Sequence, residues 1–95
     1  IYRLYREAGG NLIDTASNYQ FGESEEITGQ LIADERDDIV LSTKYTLAAS
    51  PAEGLQHTGN SRRNLVQSVE ASLRRLNTDR IDVLWVHFPD AVTPI

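Results

Sequence analysis

The sequence predicts an α/β fold in which helices cover a sheet of parallel strands. Three observations support this prediction. Helical and strand patterns alternate along the 95 residues, the strand patterns are nearly continuous apolar runs, and helical segments separate them. Near-continuous apolar runs are typical of parallel strands buried on both faces. We therefore expect about three strands with flanking helices.

A helical pattern leads into the first strand. Apolar residues between Ile1 and Ala8 recur at helical spacing, and Gly9 and Gly10 then supply the residue type that ends a helix in a left-handed conformation. The first strand is predicted at Asn11 to Asp14 because this short apolar run follows the glycine turn directly.

The second helix is predicted to open within Phe21 to Glu26. Ser24 is a candidate cap for its exposed amides, and Ile27 and Leu31 share one face. Three carboxylates stand at the start of this helix, Glu23, Glu25 and Glu26. Carboxylates are stabilised by the positive end of a helix dipole, so we interpret them as a helix start and expect no metal site.

The middle of the chain contains the second strand and a long loop. Asp34 to Asp38 is a polar turn, and the β-branched run from Ile39 to Thr43 predicts the strand. The loop from Tyr45 to Asn60 is longer than a minimal connection, which makes it a candidate functional loop. Within it, His57 has no partner nearby in sequence and is expected to be solvated.

The third helix has the clearest pattern. Ser61 is its candidate cap, Ser72 is a small residue beside its apolar stripe, and the helix is expected to end near Asn77. The stripe consists of Leu65, Val69, Leu73 and Leu76. Two arginine pairs, at 62–63 and 74–75, are expected to form its solvated face. The third strand is predicted at Ile81 to Val86.

Reactive side chains stand where these strands end. Asp14 ends the first strand, Lys44 follows the second, and His87 follows the third. Tyr19 lies a few residues beyond Asp14, and Lys44 is the only lysine in the chain. If the three strands are parallel, these four side chains meet at one edge of the sheet.

Composition excludes several classes of function. The formal net charge is −5 without basic clusters, which argues against a nucleic-acid surface. No apolar stretch approaches the length of a membrane span. The chain has no cysteine, which removes disulfides and thiolate ligands and is compatible with a reducing compartment. We expect a cytoplasmic protein whose oligomeric state the sequence does not indicate.

Two architectures match this element order. A doubly wound sheet that binds a dinucleotide usually has a glycine-rich turn after its first strand, but the turn from Asp14 to Tyr19 contains no glycine. A (β/α)8 TIM barrel instead carries reactive groups at the carboxyl ends of several strands. The barrel is the better prediction. Because a barrel has eight strands and about 250 residues, the chain would form only part of it.

Four motifs in order resemble the aldo-keto reductases. They are Asn11-Leu12-Ile13-Asp14-Thr15-Ala16 with Tyr19, then Gly22 with Ser24-Glu25-Glu26, then Leu41-Ser42-Thr43-Lys44, and finally Ser72-Leu73-Arg74-Arg75-Leu76 with Thr78-Asp79, Ile81-Asp82 and His87. Ser61-Arg62-Arg63 and the Arg-Arg-Leu run point to the bacterial and potassium-channel-β-like branch. The resemblance implies that residues 1–95 are an N-terminal part of such a barrel, incomplete at both ends.

The resemblance also implies a reaction, the reduction of an aldehyde or ketone to an alcohol with NADPH. Hydride transfer leaves negative charge on the carbonyl oxygen, so the site needs a proton donor. A phenol titrates near pH 10 and is a weak acid unless a nearby cation favours its phenolate. Tyr19 is the implied proton donor, Asp14 and Lys44 are its tuning partners, and His87 orients the substrate. Asp14 and Tyr19 also border the cofactor.

Other interpretations stay open. Each of the four residues singly has an ordinary structural explanation, although their joint order makes that explanation weaker. Lys44 at a barrel end also suits a Schiff-base aldolase. A regulatory subunit that binds the cofactor with little turnover, like the channel β-subunits, is the other alternative. An isolated fragment is expected to be inactive, since its unpaired strands expose sheet edges.

Overall fold

The computed structural model describes residues 1–94, in which helices and strands alternate as predicted. The elements in chain order are α1 (Tyr2–Glu7), β1 (Leu12–Asp14), α2 (Glu23–Ile32), β2 (Val40–Tyr45), α3 (Arg62–Leu76) and β3 (Val83–Val86). Within the described residues, no helix combines the length and the hydrophobicity that crossing a bilayer requires.

The sheet has three parallel strands in the order β1-β2-β3. Asp14 is aligned with Ser42, and Lys44 is aligned with Trp85. This arrangement confirms the prediction of an α/β fold with a parallel sheet. Within residues 1–94, β1 and β3 each have a strand neighbour on one side only.

β1 and β2 each begin one residue later than predicted, and two other strand boundaries differ from the prediction by two residues. β2 runs on through Tyr45, because backbone amides on both sides keep it paired: Ser17 N donates to Lys44 O over 3.1 Å, and His87 N donates to Tyr45 O over 3.1 Å. Lys44 therefore lies inside the strand. β3 begins at Val83, two residues later than predicted. There the Asp82 carboxylate accepts a hydrogen bond from Leu41 N over 2.8 Å. In a continuous sheet, a backbone carbonyl oxygen of the neighbouring strand would accept this bond instead.

The two faces of the sheet are in different environments. The covered face is the side that packs against the helices, and it carries Ile13, Leu41, Thr43 and Tyr45. Its core consists of Ile32, Ile39, Leu41 and Leu76. The open face carries Leu12, Asp14, Val40, Ser42, Lys44 and Trp85. Leu12 is 52% exposed and Trp85 is 55% exposed, whereas Leu41 is 0% exposed.

Helices α2 and α3 contact each other closely. A Cβ atom at Gly29 would lie 2.4 Å from the carbonyl oxygen of Leu76, so this crossing requires glycine. The side of α2 that is buried consists of Glu25, Thr28, Gly29 and Ile32. Ile27 and Leu31 do share a face, as predicted, but each is 48% exposed. Their periodicity therefore does not mark the side that packs on the sheet.

Glu25 stands at the start of α2 as predicted, but its partner Arg75 is not on a solvated face, contrary to the prediction. Glu25 is fully buried and accepts hydrogen bonds from Thr43 Oγ1 over 2.6 Å and from Arg75 Nε over 2.7 Å. A buried carboxylate requires such partners because desolvation is costly for a charge. The remaining arginines of the two pairs, Arg62, Arg63 and Arg74, are exposed as predicted.

One predicted cap is correct and the other is wrong. Ser61 Oγ accepts the Asn64 N–H over 3.2 Å at the start of α3, and Asn77 ends that helix with a φ of 49°. Ser24 lies inside α2 and does not cap it. Its hydroxyl instead contacts the Thr15 hydroxyl over 2.8 Å, while Gly22 occupies the cap position with a left-handed backbone.

The long loop after β2 is folded against α3. Its 3-10 turns span Pro51–Glu53 and Leu55–His57. Thr46 begins the loop with a φ of 98°, and its carbonyl oxygen accepts a hydrogen bond from Gly59 N over 2.8 Å. His57 is partly buried rather than solvated, because it lines a small cavity between the loop and α3.

Candidate active site

The four predicted site residues lie at one edge of the sheet. Asp14 is the last residue of β1, Lys44 is the second-last residue of β2, and His87 directly follows β3. Tyr19 begins a 3-10 turn, Tyr19–Gly22, between β1 and α2. Because the strands are parallel, their carboxyl ends meet at the same edge, and the structure brings all four side chains together there.

Lys44 is at the centre of this group. Its Nζ donates hydrogen bonds to Asp14 Oδ2 and, over 2.8 Å, to the carbonyl oxygen of Thr15. The same Nζ lies 5.0 Å from the centroid of the Tyr19 ring. The Lys44 side chain is 16% exposed and the Asp14 side chain is 47% exposed. The ammonium group therefore lies between a carboxylate that compensates its charge and a phenol ring that it can influence.

Tyr19 and His87 are in edge-to-face contact. Their ring centroids are 5.8 Å apart and the ring planes are at 82°. Phe88 stacks on the other side of His87, with centroids 5.0 Å apart and planes at 15°. Nδ1 of His87 is buried and has no hydrogen-bond partner among the described residues. Aromatic packing thus holds the imidazole, while one of its nitrogens is buried without a hydrogen bond from the described residues, which is uncommon for a buried polar atom.

Asp14 is held in its ionised form. Burial is the largest single influence and raises its pKa. Hydrogen bonds from Lys44 and Ser42, the charge of Lys44 and a smaller contribution from His87 together lower the pKa below the ordinary value of 3.8. Asp14 is therefore a carboxylate at neutral pH, and it forms an ion pair with Lys44.

The turn that carries Tyr19 has an unusual backbone. Gln20, Phe21 and Gly22 have φ values of 50°, 55° and 93°, so three consecutive residues are left-handed. A Cβ atom at Gly22 would lie 3.0 Å from Cδ of Arg75, the partner of buried Glu25. Strained backbone of this kind persists only where its surroundings fix it, and it is often found at functional sites.

Comparison with known proteins identifies the family. The model of the aldo/keto reductase family matches residues 1–95, which is the whole chain. The chain belongs to the aldo/keto reductase family. Its site residues therefore lie in a polypeptide whose family includes proteins named as reductases.

Three relatives illustrate the range of this family. The chain is 44% identical to norsolorinic acid reductase B of Dothistroma septosporum, which it matches over 100% of its own length and 26% of that protein. It is 44% identical to aldo-keto reductase YhdN of Bacillus subtilis over 98% of the chain and 28% of that protein. It is 43% identical to a probable voltage-gated potassium channel subunit beta of Arabidopsis thaliana over 100% of the chain and 29% of that protein. The chain thus spans between a quarter and a third of these relatives.

Two further residues belong to this candidate site, and their sequence pattern alone did not single them out. Ser42 Oγ donates to Asp14 Oδ1 over 2.7 Å, and Trp85 Nε1 donates to Ser42 Oγ over 3.0 Å. The signal that could have identified them is the period of two along a strand. Ser42 is two residues before Lys44, and Trp85 is two residues before His87, so each lies on the open face with its site residue.

The site has no arrangement typical of a metal centre. Among residues 1–94, no three histidine or carboxylate side chains are grouped so that they could hold a metal ion. The three acidic residues at the start of α2 are separated instead, since Glu25 is buried while Glu23 and Glu26 are exposed.

Proposed function

We propose that residues 1–95 carry the proton-donor site of a longer enzyme that reduces an aldehyde or a ketone to an alcohol with NADPH. The observation that carries this proposal is the position of the Lys44 ammonium group between the Asp14 carboxylate and the Tyr19 ring. The proposal includes the architecture: β1, β2 and β3 are consecutive strands of a (β/α)8 barrel, of which residues 1–95 are an N-terminal part.

Tyr19 has the role of proton donor in this proposal. The product alcohol needs a proton on the former carbonyl oxygen, and a donor at that oxygen lowers the barrier by limiting the charge that develops. Tyr19 is 39% exposed at the open end of the site, so a substrate oxygen can reach its hydroxyl group. When the proton leaves, the negative phenolate that remains is stabilised by the Lys44 cation.

Asp14 supports Lys44. An ammonium group that is mostly removed from water requires a compensating charge. The Asp14 carboxylate provides that charge, and the carbonyl oxygen of Thr15 accepts a second hydrogen bond from the ammonium group. These two acceptors hold Nζ in place next to the phenol. The pair therefore maintains a fixed positive charge at the point where the phenolate forms.

His87 is proposed to orient the substrate. Its ring packs against both Tyr19 and Phe88, which places the imidazole beside the proposed proton donor. A second polar group beside the proton donor defines the position of the carbonyl oxygen, which a near-attack geometry requires.

The same edge fits a nicotinamide cofactor. Trp85, which is 55% exposed on the open face, offers apolar surface next to the polar cluster, and this suits a flat ring with one reactive carbon. We propose that Asp14 and Tyr19 border this ring. When bound, NADPH supplies the hydride. The rest of the cofactor site is proposed to lie outside residues 1–95, since the relatives are several times longer.

The experiment that tests this proposal uses the complete natural polypeptide. NADPH oxidation is followed by absorbance with a panel of aldehydes and ketones, and NADPH binding is measured in parallel by fluorescence. We expect NADPH to bind and its oxidation to depend on a carbonyl compound. Tight binding without turnover across the panel would overturn the proposal of an enzyme.

A regulatory subunit is the second candidate function. The observation that favours it is the 43% identity to a probable potassium channel subunit beta. This function predicts tight NADPH binding, negligible turnover and a stable protein partner that co-purifies with the complete polypeptide. The same binding and turnover measurements therefore separate the two functions.

Schiff-base chemistry at Lys44 is disfavoured by its surroundings. A nucleophilic amine needs a free nitrogen lone pair, whereas Lys44 Nζ is held in hydrogen bonds to a carboxylate and a carbonyl oxygen. We expect borohydride to trap no carbonyl substrate on Lys44. Mass spectrometry of the treated protein checks this, and a covalent adduct at Lys44 would restore the aldolase alternative.

A further inference from the structure

We propose that Ser42 and Trp85 are positioning residues, which form a hydrogen-bonded relay that orients the Asp14 carboxylate toward Lys44. The relay runs from the indole of Trp85 through the hydroxyl of Ser42 to Asp14. Its effect on turnover rests on the proposed function, whereas its existence as a hydrogen-bonded chain does not.

The geometry gives each Asp14 oxygen its own donor. Ser42 Oγ donates to Oδ1 over 2.7 Å, and Lys44 Nζ donates to Oδ2. Both donors come from β2, two residues apart, and so project from the same face of the strand. Two donors on separate oxygens fix the plane of a carboxylate, while one donor would leave it free to rotate. Ser42 thus determines which oxygen Lys44 meets.

Trp85 determines the direction of the Ser42 hydroxyl proton. The indole N–H is only a donor, so Ser42 Oγ must act as the acceptor in its 3.0 Å contact with Trp85 Nε1. The single hydroxyl proton of Ser42 is then directed to Asp14. Ser42 is 2% exposed, so water has little access to compete for either bond. Because Ser42 accepts the hydrogen bond from Trp85, it donates its own hydroxyl proton to Asp14.

The sheet register makes this relay possible. Asp14 is aligned with Ser42 across β1 and β2, and Lys44 is aligned with Trp85 across β2 and β3. The Trp85 side chain extends along the open face to Ser42, which lies two residues before Lys44, the aligned partner of Trp85. All three strands therefore contribute to one hydrogen-bonded chain that ends at the ion pair.

The relay has a pH-dependent consequence. The titratable groups next to Asp14 are Lys44 and His87, with Tyr19 packed against both of them. Ser42 is uncharged, and its hydrogen bond lowers the Asp14 pKa. Removal of that bond raises the Asp14 pKa. Turnover that requires ionised Asp14 is lost as the pH falls through this pKa, so Ser42→Ala moves the acidic limb of the profile to higher pH.

The test uses isotope-labelled complete polypeptide and the indole N–H resonance of Trp85. Trp85 is the only tryptophan in residues 1–95, and Trp85→Phe assigns its signal. We expect Ser42→Ala to move this resonance upfield, to speed its exchange with solvent and to lower turnover by between about 2- and 10-fold. Ser42→Thr keeps a hydroxyl group and is expected to restore both the resonance and the acidic limb.

Two further variants keep the test decisive if Ser42→Ala does not fold. Asp14→Asn is expected to abolish the acidic titration of the Trp85 resonance that the unaltered protein shows. Trp85→Phe is expected to move the acidic limb only slightly from that of the unaltered protein, because the freed Ser42 hydroxyl can still donate to Asp14. The relay is overturned if the Trp85 indole resonance changes neither on substitution of Ser42 nor on ionisation of Asp14. A normal resonance response in a protein without carbonyl reduction would leave the relay intact and reject the proposed function.

Discussion

The covered face and the open face of the sheet each contain an ion pair, and consecutive residues of β2 serve the two pairs. Thr43 donates its hydroxyl to Glu25, which pairs with Arg75 under the helices. Ser42 donates its hydroxyl to Asp14, which pairs with Lys44 on the open face. The chemistry of the two clusters is nearly the same, but their burial is not.

Burial determines what each cluster can do. Glu25 is 0% exposed, so a reactant cannot reach its carboxylate. Asp14 and Lys44 instead lie beside Tyr19, which is 39% exposed, and the Asp14 side chain is 47% exposed, so these groups are accessible from solvent. The comparison teaches that residue types alone do not identify a site. We expect changes on the covered face to affect stability and changes on the open face to affect turnover.

Lys44→Met in the complete polypeptide gives the largest expected effect. Methionine keeps the length of the side chain and removes the charge that stabilises the Tyr19 phenolate, so we expect kcat to fall by about 10²- to 10⁴-fold. Steady-state NADPH oxidation measures this change. The control is Arg74→Met, which removes an exposed cation from α3 and should leave kcat unchanged. Equal kcat values in Lys44→Met and Arg74→Met would contradict the expectation that charges on the open face determine turnover.

Glu25→Ala tests the covered face. The change leaves Arg75 without its partner in a largely buried place, and we expect the free energy of unfolding to fall by about 3–5 kcal/mol. Denaturant titration of the complete polypeptide measures it. Glu26→Ala removes the neighbouring exposed carboxylate and serves as the matched control, with an expected change within about 0.5 kcal/mol. Similar losses from both variants would contradict the assigned burial of Glu25.

Gly29→Ala sharpens the account of how the helices meet. The added Cβ would lie 2.4 Å from the carbonyl oxygen of Leu76, so one helix must shift. Overpacking of this kind costs about 1–3 kcal/mol of stability. Thermal unfolding of the complete polypeptide measures the loss. Gln30→Ala, at the next and exposed position of α2, should cost little, and an unchanged melting temperature for Gly29→Ala would show that the helices are farther apart.

Ser61→Ala gives the smallest expected effect. Its hydroxyl accepts the Asn64 N–H at the start of α3, and loss of such a cap costs about 1 kcal/mol. Chemical denaturation of the complete polypeptide detects this change. Ser61→Asp retains an acceptor at the same position and should recover the stability. If Ser61→Asp is as unstable as Ser61→Ala, the hydrogen bond does not act as a helix cap.

Local sequence patterns predict the strand ends but not the burial of the charged residues. Asp14, Lys44 and His87 were found because apolar runs mark the strands and parallel strands place their ends at one edge. Glu25 was interpreted only as a helix-start carboxylate, and its buried partner Arg75 is 50 residues away in sequence. No local pattern relates two such residues. Their pairing depends on how α2 and α3 cross at Gly29.

The open face shows a different limit. Ser42 and Trp85 lie in apolar strand patterns, in which a serine and a tryptophan are ordinary residues. The period of two assigns each to a face, but their contact also depends on the register of β2 against β3. The sequence does not contain that register in any short pattern, so the relay becomes visible only in the folded sheet.

The measurement that tests the central claim most directly compares turnover with cofactor affinity in Tyr19→Phe. The variant removes only the hydroxyl group that we propose as the proton donor. We predict that kcat for carbonyl reduction by the complete polypeptide falls by about 10²- to 10⁴-fold, while the NADPH dissociation constant, measured by fluorescence, stays within a factor of about 3 because no large contact is lost. Tyr2→Phe, which removes a hydroxyl that donates to Glu35 and contacts no residue of the site, should change neither quantity. Undiminished turnover in Tyr19→Phe would contradict the account.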